Sequence, residues 1–309
     1  MAIIGVRRET LRKPIRMTHQ ITLLDGGMGQ ELFYRMGKIA SPLFSAQAMI
    51  DAPDLVIELH KDFIKAGADL IGLNAYAATP ERLARDAEAA LFEPIQDAAA
   101  QAALTAKNET GNTVLIAGCL PPLVASYHSE LVPPKIQAIK SYKRIVERQE
   151  SVVDVFIAET MSSVAEARYV CEAVAETKKP IWISFTVKDY DGTLLRSGEP
   201  LDAGIEVAIS ANADGLLVNC STPEAIGESM SILSGSGIPF GGMANSFVSA
   251  SDLKAGGAVD TLATRDDLGP AQYAEHVFSW IEQGASLVGG CCGVGPRHIA
   301  EIRQRIDMA

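Results

Sequence analysis

Three cysteine residues from two separate segments are the side chains of this sequence best suited to do chemistry. Cys291 and Cys292 are adjacent within the run Gly289–Gly293, and Cys220 lies between Asn219 and Ser221. Three soft sulfur ligands are typical of a zinc site, and a site with three protein ligands keeps a fourth position for a substrate. Zinc holds thiolates at neutral pH and lowers the pKa of an incoming thiol from its free value of about 8.5. The pattern therefore predicts a site that binds and activates a thiol.

The same cysteines have two other interpretations. Adjacent residues of a regular strand point to opposite faces, so both sulfurs reach one ion only if the flanking glycines bend the chain. The three thiols could instead be buried and inert, since free cysteine is often buried. A strained vicinal disulfide between Cys291 and Cys292 is the other alternative. We expect neither Cys119, at the end of an apolar run, nor Cys171, in a predicted helix, to bind the metal.

Two carboxylates directly follow apolar runs. Asp25 opens the glycine-rich turn Asp25–Gly29, where a carboxylate could accept hydrogen bonds from an ammonium group and the backbone could approach a ligand. An Asx turn or a helix cap is the alternative for Asp25. Glu159 follows Val155–Ala158, and a role in a site is favoured there because glutamate is rarely buried without a partner.

Two aromatic residues, Phe44 and Tyr76, lie near predicted loops. An aromatic wall attracts a cationic ligand such as an onium methyl donor. Ordinary packing is the alternative for both. The five histidines form no pair with metal-ligand spacing, and His60 is expected on the surface of a helix.

Short runs rich in branched residues alternate with longer amphipathic stretches, which predicts buried parallel strands separated by helices. The predicted strands are 21–24, 70–73, 114–117, 155–158, 181–185, 215–218, 239–243 and 286–288. The predicted helices are 53–66, two pieces within 81–107 around Pro94, 134–150, 163–177, 202–211, 223–233, 270–283 and 296–308. Eight repeats predict a single α/β domain with the (β/α)₈ TIM barrel fold, with an open doubly wound sheet as the alternative. The barrel is favoured because polar or glycine-rich motifs follow nearly every strand and would converge on one mouth.

Composition limits the partners. The 309 residues carry a formal net charge of −11, which argues against nucleic acid or an anionic membrane as the main partner. The five cysteines show no disulfide-framework spacing, and no run approaches the roughly 20 apolar residues that span a bilayer. We predict a cytoplasmic monomer or small homo-oligomer that acts on small molecules. Residues 1–19 are predicted to be a basic, loosely packed arm, and residues 20–309 the barrel domain.

Several motifs occur together in the order typical of one family. They are Asp25–Gly29, Pro42–Ala46, Ala66–Asp69, Asn74–Thr79, Ala158–Thr160, Val218–Ser221 and Gly289–His298. The chain resembles the homocysteine S-methyltransferase family over about residues 20–306. The resemblance implies a zinc-bearing barrel that methylates homocysteine to methionine.

The resemblance also implies roles for individual residues. Cys220, Cys291 and Cys292 would hold zinc and form the catalytic centre. Asp25, Gly26 and Glu159 would bind the amino-acid part of homocysteine, and Phe44 and Tyr76 would line the donor pocket.

The donor is less strongly implied, because four departures from the family pattern lie near its expected side. They are Phe44 in place of a tryptophan, Asn74-Ala75, the segment Cys119–Tyr127 and Ala244–Ser246. S-methylmethionine or S-adenosylmethionine is favoured as the donor. Betaine, a dimethylsulfonio compound, or a non-catalytic barrel that binds a thiol or onium compound are the alternatives.

Overall fold

A computed structural model describes residues 21–37, 43, 45–250, 253 and 262–309. The predicted arm at 1–19 and the predicted donor-pocket residue Phe44 lie outside the described residues. No helix in these ranges is long and apolar enough to cross a membrane.

Eight parallel strands form a barrel, as predicted. They are β1 (Thr22–Leu23), β2 (Leu70–Gly72), β3 (Leu115–Leu120), β4 (Val155–Met161), β5 (Ile181–Phe185), β8 (Gly215–Asn219), β9 (Phe240–Ala244) and β10 (Leu287–Gly290), in the ring order β1-β10-β9-β8-β5-β4-β3-β2. The ring closes between β1 and β2 through a parallel bridge of Leu24 with Leu70. Two backbone hydrogen bonds join the same strands, from Asp69 N–H to the Leu23 oxygen (2.7 Å) and from Asp25 N–H to the Leu70 oxygen (3.0 Å).

The barrel has two apolar layers. Its interior is filled by one side-chain cluster, formed by Leu24, Leu70, Ala117, Val155, Ile157, Trp182, Leu217, Met243 and Leu287. A larger cluster lies between the strands and the surrounding helices. The strands are therefore buried on both faces, which explains why they appear in the sequence as continuous apolar runs.

Eleven α-helices are described. They are α1 (Met28–Arg35), α2 (Ser45–Asp51), α3 (Pro53–Lys65), α4 (Pro80–Asp86), α5 (Phe92–Thr110), α6 (Lys135–Gln149), α7 (Val164–Ala173), α8 (Leu201–Ser210), α9 (Pro223–Ser234), α10 (Pro270–Glu282) and α11 (Pro296–Met308). Five of them begin with proline, whose missing N–H costs nothing in the first turn. Thr79, Ser163 and Thr222 cap α4, α7 and α9 with their side-chain oxygens.

Several helix and strand predictions were wrong in detail. The break within 81–107 falls at residues 87–91, which include the 3-10 turn Ala89–Leu91, and Pro94 lies inside the first turn of α5, where proline is tolerated. Helices α1 and α2 were not predicted. A hairpin of β6 (Val187–Lys188) and β7 (Asp191–Leu195) was also missed; it follows β5 and packs against α9.

His60 is fully buried, contrary to the surface position expected for it. It belongs to α3, which contacts α1, α2, α5, α11 and β2 and is therefore covered on most sides. Burial lowers the pKa of His60 to about 4, so the ring is neutral.

The amino ends of the strands are tied together by aspartates. Asp69, Asp154 and Asp214 precede β2, β4 and β8, and each accepts a 2.9 Å hydrogen bond from a backbone N–H of the preceding barrel strand, at Leu23, Ile116 and Ile181. These bonds fix the bottom of the barrel. The opposite, carboxyl ends of the strands carry the motifs described above and are left to form a site.

Candidate active site

Most of the predicted site residues line one cavity at the carboxyl ends of the strands. Those that line it are Asp25, Gly26, Tyr76, Glu159, Cys220, Cys291 and Cys292. The structure thus brings together side chains that follow β1, β2, β4, β8 and β10.

The three cysteines converge at this cavity. Cys220 follows β8, while Cys291 and Cys292 follow β10, and β9 lies between those strands in the ring. The three sulfur atoms all lie within 4.8 Å of one another. Cys220 and Cys291 are paired as a disulfide with their Cα atoms 5.8 Å apart, and Cys292 is a free thiol. The pairing is not the vicinal one considered from the sequence.

This cluster fits a metal of zinc type. In a tetrahedral site, zinc–sulfur bonds of about 2.3 Å place two ligands of one ion roughly 3.8 Å apart. Once Cys220 and Cys291 are reduced, the three sulfurs would reach this spacing by a small shift. The donor set consists of soft sulfur, which suits zinc rather than magnesium or calcium. Burial raises the pKa of the Cys292 thiol to about 12, so without a cation this thiol is protonated.

Cys220 adopts an uncommon backbone conformation, with φ of 50°. Its N–H donates to the Met243 oxygen (3.0 Å), and its own oxygen accepts from Thr186 Oγ1 (3.3 Å) and Arg196 Nη2 (3.4 Å). Arg196 in turn forms a buried ion pair with Asp189 at 2.6 Å. Thr186 and Arg196, which flank the β6–β7 hairpin, therefore support the backbone of a predicted metal ligand.

Asp25 lies beside the joint between β1 and β2. Its Oδ2 accepts a hydrogen bond from the Gly72 N–H at 2.9 Å. Burial raises the pKa of Asp25 to about 8; the Gly72 hydrogen bond opposes this shift and the charge of Glu159 adds to it. A cationic group is needed to keep this carboxyl ionised at neutral pH.

Gly26 and Gly27 are required by close packing as well as by the cavity. A Cβ atom on Gly26 would lie 2.0 Å from the Val294 oxygen, and one on Gly27 would lie 2.5 Å from the Cys291 oxygen. The turn after β1 therefore rests directly on the cysteine loop. Gly26 lines the cavity, and its N–H has no acceptor among the described residues.

Glu159 is aimed into the cavity by a β-bulge. The register between β4 and β5 shifts between Ala158 and Met161, and Thr160 has φ of 61°, which is unusual for a β-branched residue. Asn219 holds this conformation, because its Oδ1 accepts from the Thr160 N–H (2.9 Å) and its Nδ2 donates to Thr160 Oγ1 (2.8 Å).

Burial raises the pKa of Glu159 to about 7, against a hydrogen bond from Cys119. The sequence indicated the position of Glu159, but it did not indicate the pair of hydrogen bonds by which Asn219 holds Thr160, here called the Asn219 clamp. In the sequence, Asn219 was only a neighbour of Cys220.

Tyr76 lies on another wall of the cavity. Its hydroxyl is 2.8 Å from Ser126 Oγ, and the guanidinium of Arg82 lies over its ring, 5.2 Å from the centroid. Arg82 was not singled out from the sequence, because an arginine in the first turn of a helix normally belongs to a solvated face. Only its position shortly after Tyr76 could have drawn attention to it.

The comparisons with known proteins agree with this geometry. The statistical model described as homocysteine S-methyltransferase matches residues 22–306. The chain belongs to the homocysteine S-methyltransferase family. It is therefore an enzyme of that family.

Known members of the family are similar along nearly the whole chain. It is 28% identical to homocysteine S-methyltransferase of Escherichia coli K12, across 92% of this chain and 95% of that protein. It is 29% identical to homocysteine S-methyltransferase 4 of Zea mays, across 97% and 93%. The crystal structure of the metallated homocysteine methyltransferase MmuM from Escherichia coli superposes with a TM-score of 0.79 at 25% identity, covering 93% of this chain and 97% of that one.

Proposed function

We propose that this protein transfers a methyl group from an onium donor to the thiol of homocysteine, giving methionine, at a zinc ion held by Cys220, Cys291 and Cys292. The convergence of three sulfur atoms within 4.8 Å at the barrel mouth carries this proposal. When bound there, zinc would keep the thiol of the acceptor ionised at neutral pH.

The carboxylates Asp25 and Glu159 would bind the ammonium group of homocysteine. Asp25 is buried and Glu159 partly buried, both have raised pKa values, and a positive charge close to them favours their ionised forms. The Gly26 N–H and the amino end of α1 would bind the carboxylate of homocysteine, since both present unpaired backbone donors. The chain thus orients the sulfur relative to the donor.

The donor would lie near Tyr76 and Phe44. In the transfer, the bond from the methyl carbon to the donor heteroatom breaks, and the carbon forms a bond to the homocysteine sulfur. The donor heteroatom keeps the electron pair of the broken bond and becomes uncharged, so the leaving group requires no proton. S-methylmethionine and S-adenosylmethionine are favoured, and betaine or a dimethylsulfonio compound is the alternative.

Replacing one sulfur ligand tests the proposal. In reduced protein, Cys220→Ser should lose both zinc retention and methionine formation, because a hydroxyl is a poor zinc ligand. Zinc content is measured by elemental analysis, and methionine by mass spectrometry with homocysteine and each of the four donors. Cys171→Ser is the matched control, since Cys171 is buried in α7, away from the cavity. A zinc-replete, fully active Cys220→Ser protein would contradict the proposal.

A further inference from the structure

An arginine lies across the barrel from the cysteine cluster. In the eight-strand ring, β9 lies between β8 and β10, the strands that precede the three cysteines. Strand β3 is four places from β9 in either direction and therefore lies opposite it. Arg82 of α4 contacts the loop that follows β3, and α4 itself follows β2. The cation and the sulfurs therefore occupy opposite walls of one cavity.

Arg82 is held in place but has no counter-ion among the residues that the structure describes. Its Nε and Nη2 donate to the Pro122 oxygen (3.2 and 3.0 Å), and Nη2 also approaches Ser126 Oγ (3.4 Å). Within the described part of the chain, Nη1 has no acceptor and no carboxylate lies within ion-pair distance of Arg82. Arg85, one turn further along α4, is instead paired with Asp86.

An arginine partly removed from water without a counter-ion is unfavourable, and an anion entering the cavity relieves that cost. Burial lowers the pKa of Arg82, while the more distant carboxylate of Asp86 acts in the opposite direction. A guanidinium has five N–H donors, and both hydrogens of Nη1 remain for a ligand. Its face is already fixed against the Tyr76 ring, so little freedom is lost on binding.

The carboxylates of the cavity lie on either side of Arg82 but do not pair with it. Asp25 follows β1 and Glu159 lies in β4, and the ring places β2 and β3, beside which Arg82 lies, between those two strands. Neither carboxylate forms an ion pair with Arg82. A ligand with a positive centre facing the sulfurs and a carboxylate at the far wall matches this arrangement.

We propose that Arg82, assisted by Ser126, binds the carboxylate of the methyl donor, so that this enzyme takes zwitterionic donors and discriminates against donors that lack a carboxylate. This inference rests on the proposed function, because it assigns a specificity determinant to the same site. Arg82 moves no proton and forms no covalent bond; it holds the donor so that its onium methyl group faces the acceptor sulfur.

Equilibrium binding to reduced, zinc-loaded protein tests the inference without requiring turnover. Calorimetric titration gives Kd for S-methylmethionine, S-adenosylmethionine, glycine betaine and dimethylsulfoniopropionate, and then for the carboxamide of the tightest binder. A charge-assisted hydrogen bond predicts roughly 10- to 100-fold tighter binding of the acid than of the amide. Arg82→Gln should reduce this preference to within about 3-fold while leaving amide binding unchanged, and Arg82→Lys should restore part of it.

Arg144→Gln is the matched control, because Arg144 also lies over an aromatic ring, that of Phe92 at 4.6 Å, but does not line the cavity. It should keep the wild-type preference. The ratio of the Kd values for acid and amide distinguishes direct binding of the carboxylate from a structural role of Arg82. A displaced Pro122 loop would weaken the binding of both ligands equally and leave this ratio unchanged.

Four results would overturn the inference. They are an unchanged preference in Arg82→Gln, equal weakening of acid and amide, weakened homocysteine binding with donor binding intact, and no binding of any of the four zwitterions. Methionine formation is scored separately. If wild-type protein forms no methionine but its preference for the acid over the amide depends on Arg82, the proposed function is wrong and the role of Arg82 in carboxylate binding stands. If methionine forms and this preference does not depend on Arg82, only the role of Arg82 is wrong.

Discussion

The carboxyl groups of Glu159 and Asp25 are largely desolvated in the cavity. Burial is the largest cause of both raised pKa values, which reach about 7 and about 8. Near neutral pH the ligand-free cavity therefore holds protons that a bound ammonium group would displace. Affinity for an ammonium ligand should consequently increase as the pH rises through this range.

The same burial makes stability depend on pH. Glu159 has its ordinary pKa of 4.5 in the unfolded chain and about 7 in the folded one, so the folded state binds more protons between these values. Stability should therefore decrease as the pH rises from about 4.5 to about 7, by up to about 3 kcal/mol from this group. Glu159→Gln removes this contribution. Denaturant unfolding of substrate-free protein at several pH values checks it, and an identical pH slope in wild type and variant would contradict it.

At the residue scale, the sequence was informative wherever a reactive side chain follows an apolar run. Cys220, Cys291, Asp25 and Glu159 could be selected in this way, because parallel strands of a barrel end at one mouth. Arg82 could not, since the role proposed for it depends on its having no counter-ion among the residues described here, which only the fold reveals. The roles of all these site residues, and those of Gly26 and Phe44, remain predictions.

At the level of elements, the bulge in β4 decides where Glu159 points. A regular strand would alternate its side chains, whereas Thr160 at φ of 61° turns the chain locally. Asn219 of β8 stabilises this turn through Thr160 and also accepts from Ser184 Oγ at 2.6 Å. One side chain thus ties β4 and β5 to the residue that precedes Cys220.

Removing that clamp should affect both stability and substrate binding. Asn219→Ala removes three buried hydrogen bonds, so we expect a loss of roughly 2–4 kcal/mol in the free energy of unfolding and a raised KM for homocysteine. Chemical denaturation and steady-state kinetics measure these quantities. Asn245→Ala is the comparison, because Asn245 is equally buried but its side chain makes one hydrogen bond, from the Phe247 N–H. Equal losses in the two variants would argue against a clamp.

All eight barrel strands could be predicted from their apolar runs, but three features could not. Helix α1 begins immediately after a glycine-rich turn, and glycine normally marks a loop. The β6–β7 hairpin is short and largely polar, so periodicity does not reveal it. The bulge at Thr160 depends on a contact with Asn219, 59 positions away, and local pattern carries no trace of it.

For the whole molecule, the cysteine cluster joins strands that are not neighbours. A metal bound to Cys220, Cys291 and Cys292 would connect β8 to β10 across β9. Such a link exists only in the folded chain, so binding adds to stability.

Zinc should accordingly stabilise reduced protein. At free zinc about 100-fold above Kd the gain is about 2.7 kcal/mol, which corresponds to several degrees in Tm. Protein in which Cys220 and Cys291 remain disulfide-bonded should show no such gain, because two of the three thiolates are lost. Differential scanning calorimetry of reduced and oxidised samples measures the difference. Equal zinc stabilisation of both samples would exclude the three-cysteine site.

The closure of the barrel has a consequence for ligand binding. The joint between β1 and β2 is held by one bridge, two backbone hydrogen bonds, and the side-chain hydrogen bonds of Asp69 to the Leu23 N–H and of Asp25 to the Gly72 N–H. The carboxylate proposed to bind the acceptor is thus also one of the few groups that connect β1 to β2. An amino acid bound to Asp25 would therefore stabilise this joint, so the barrel should open there less readily when the ligand is bound.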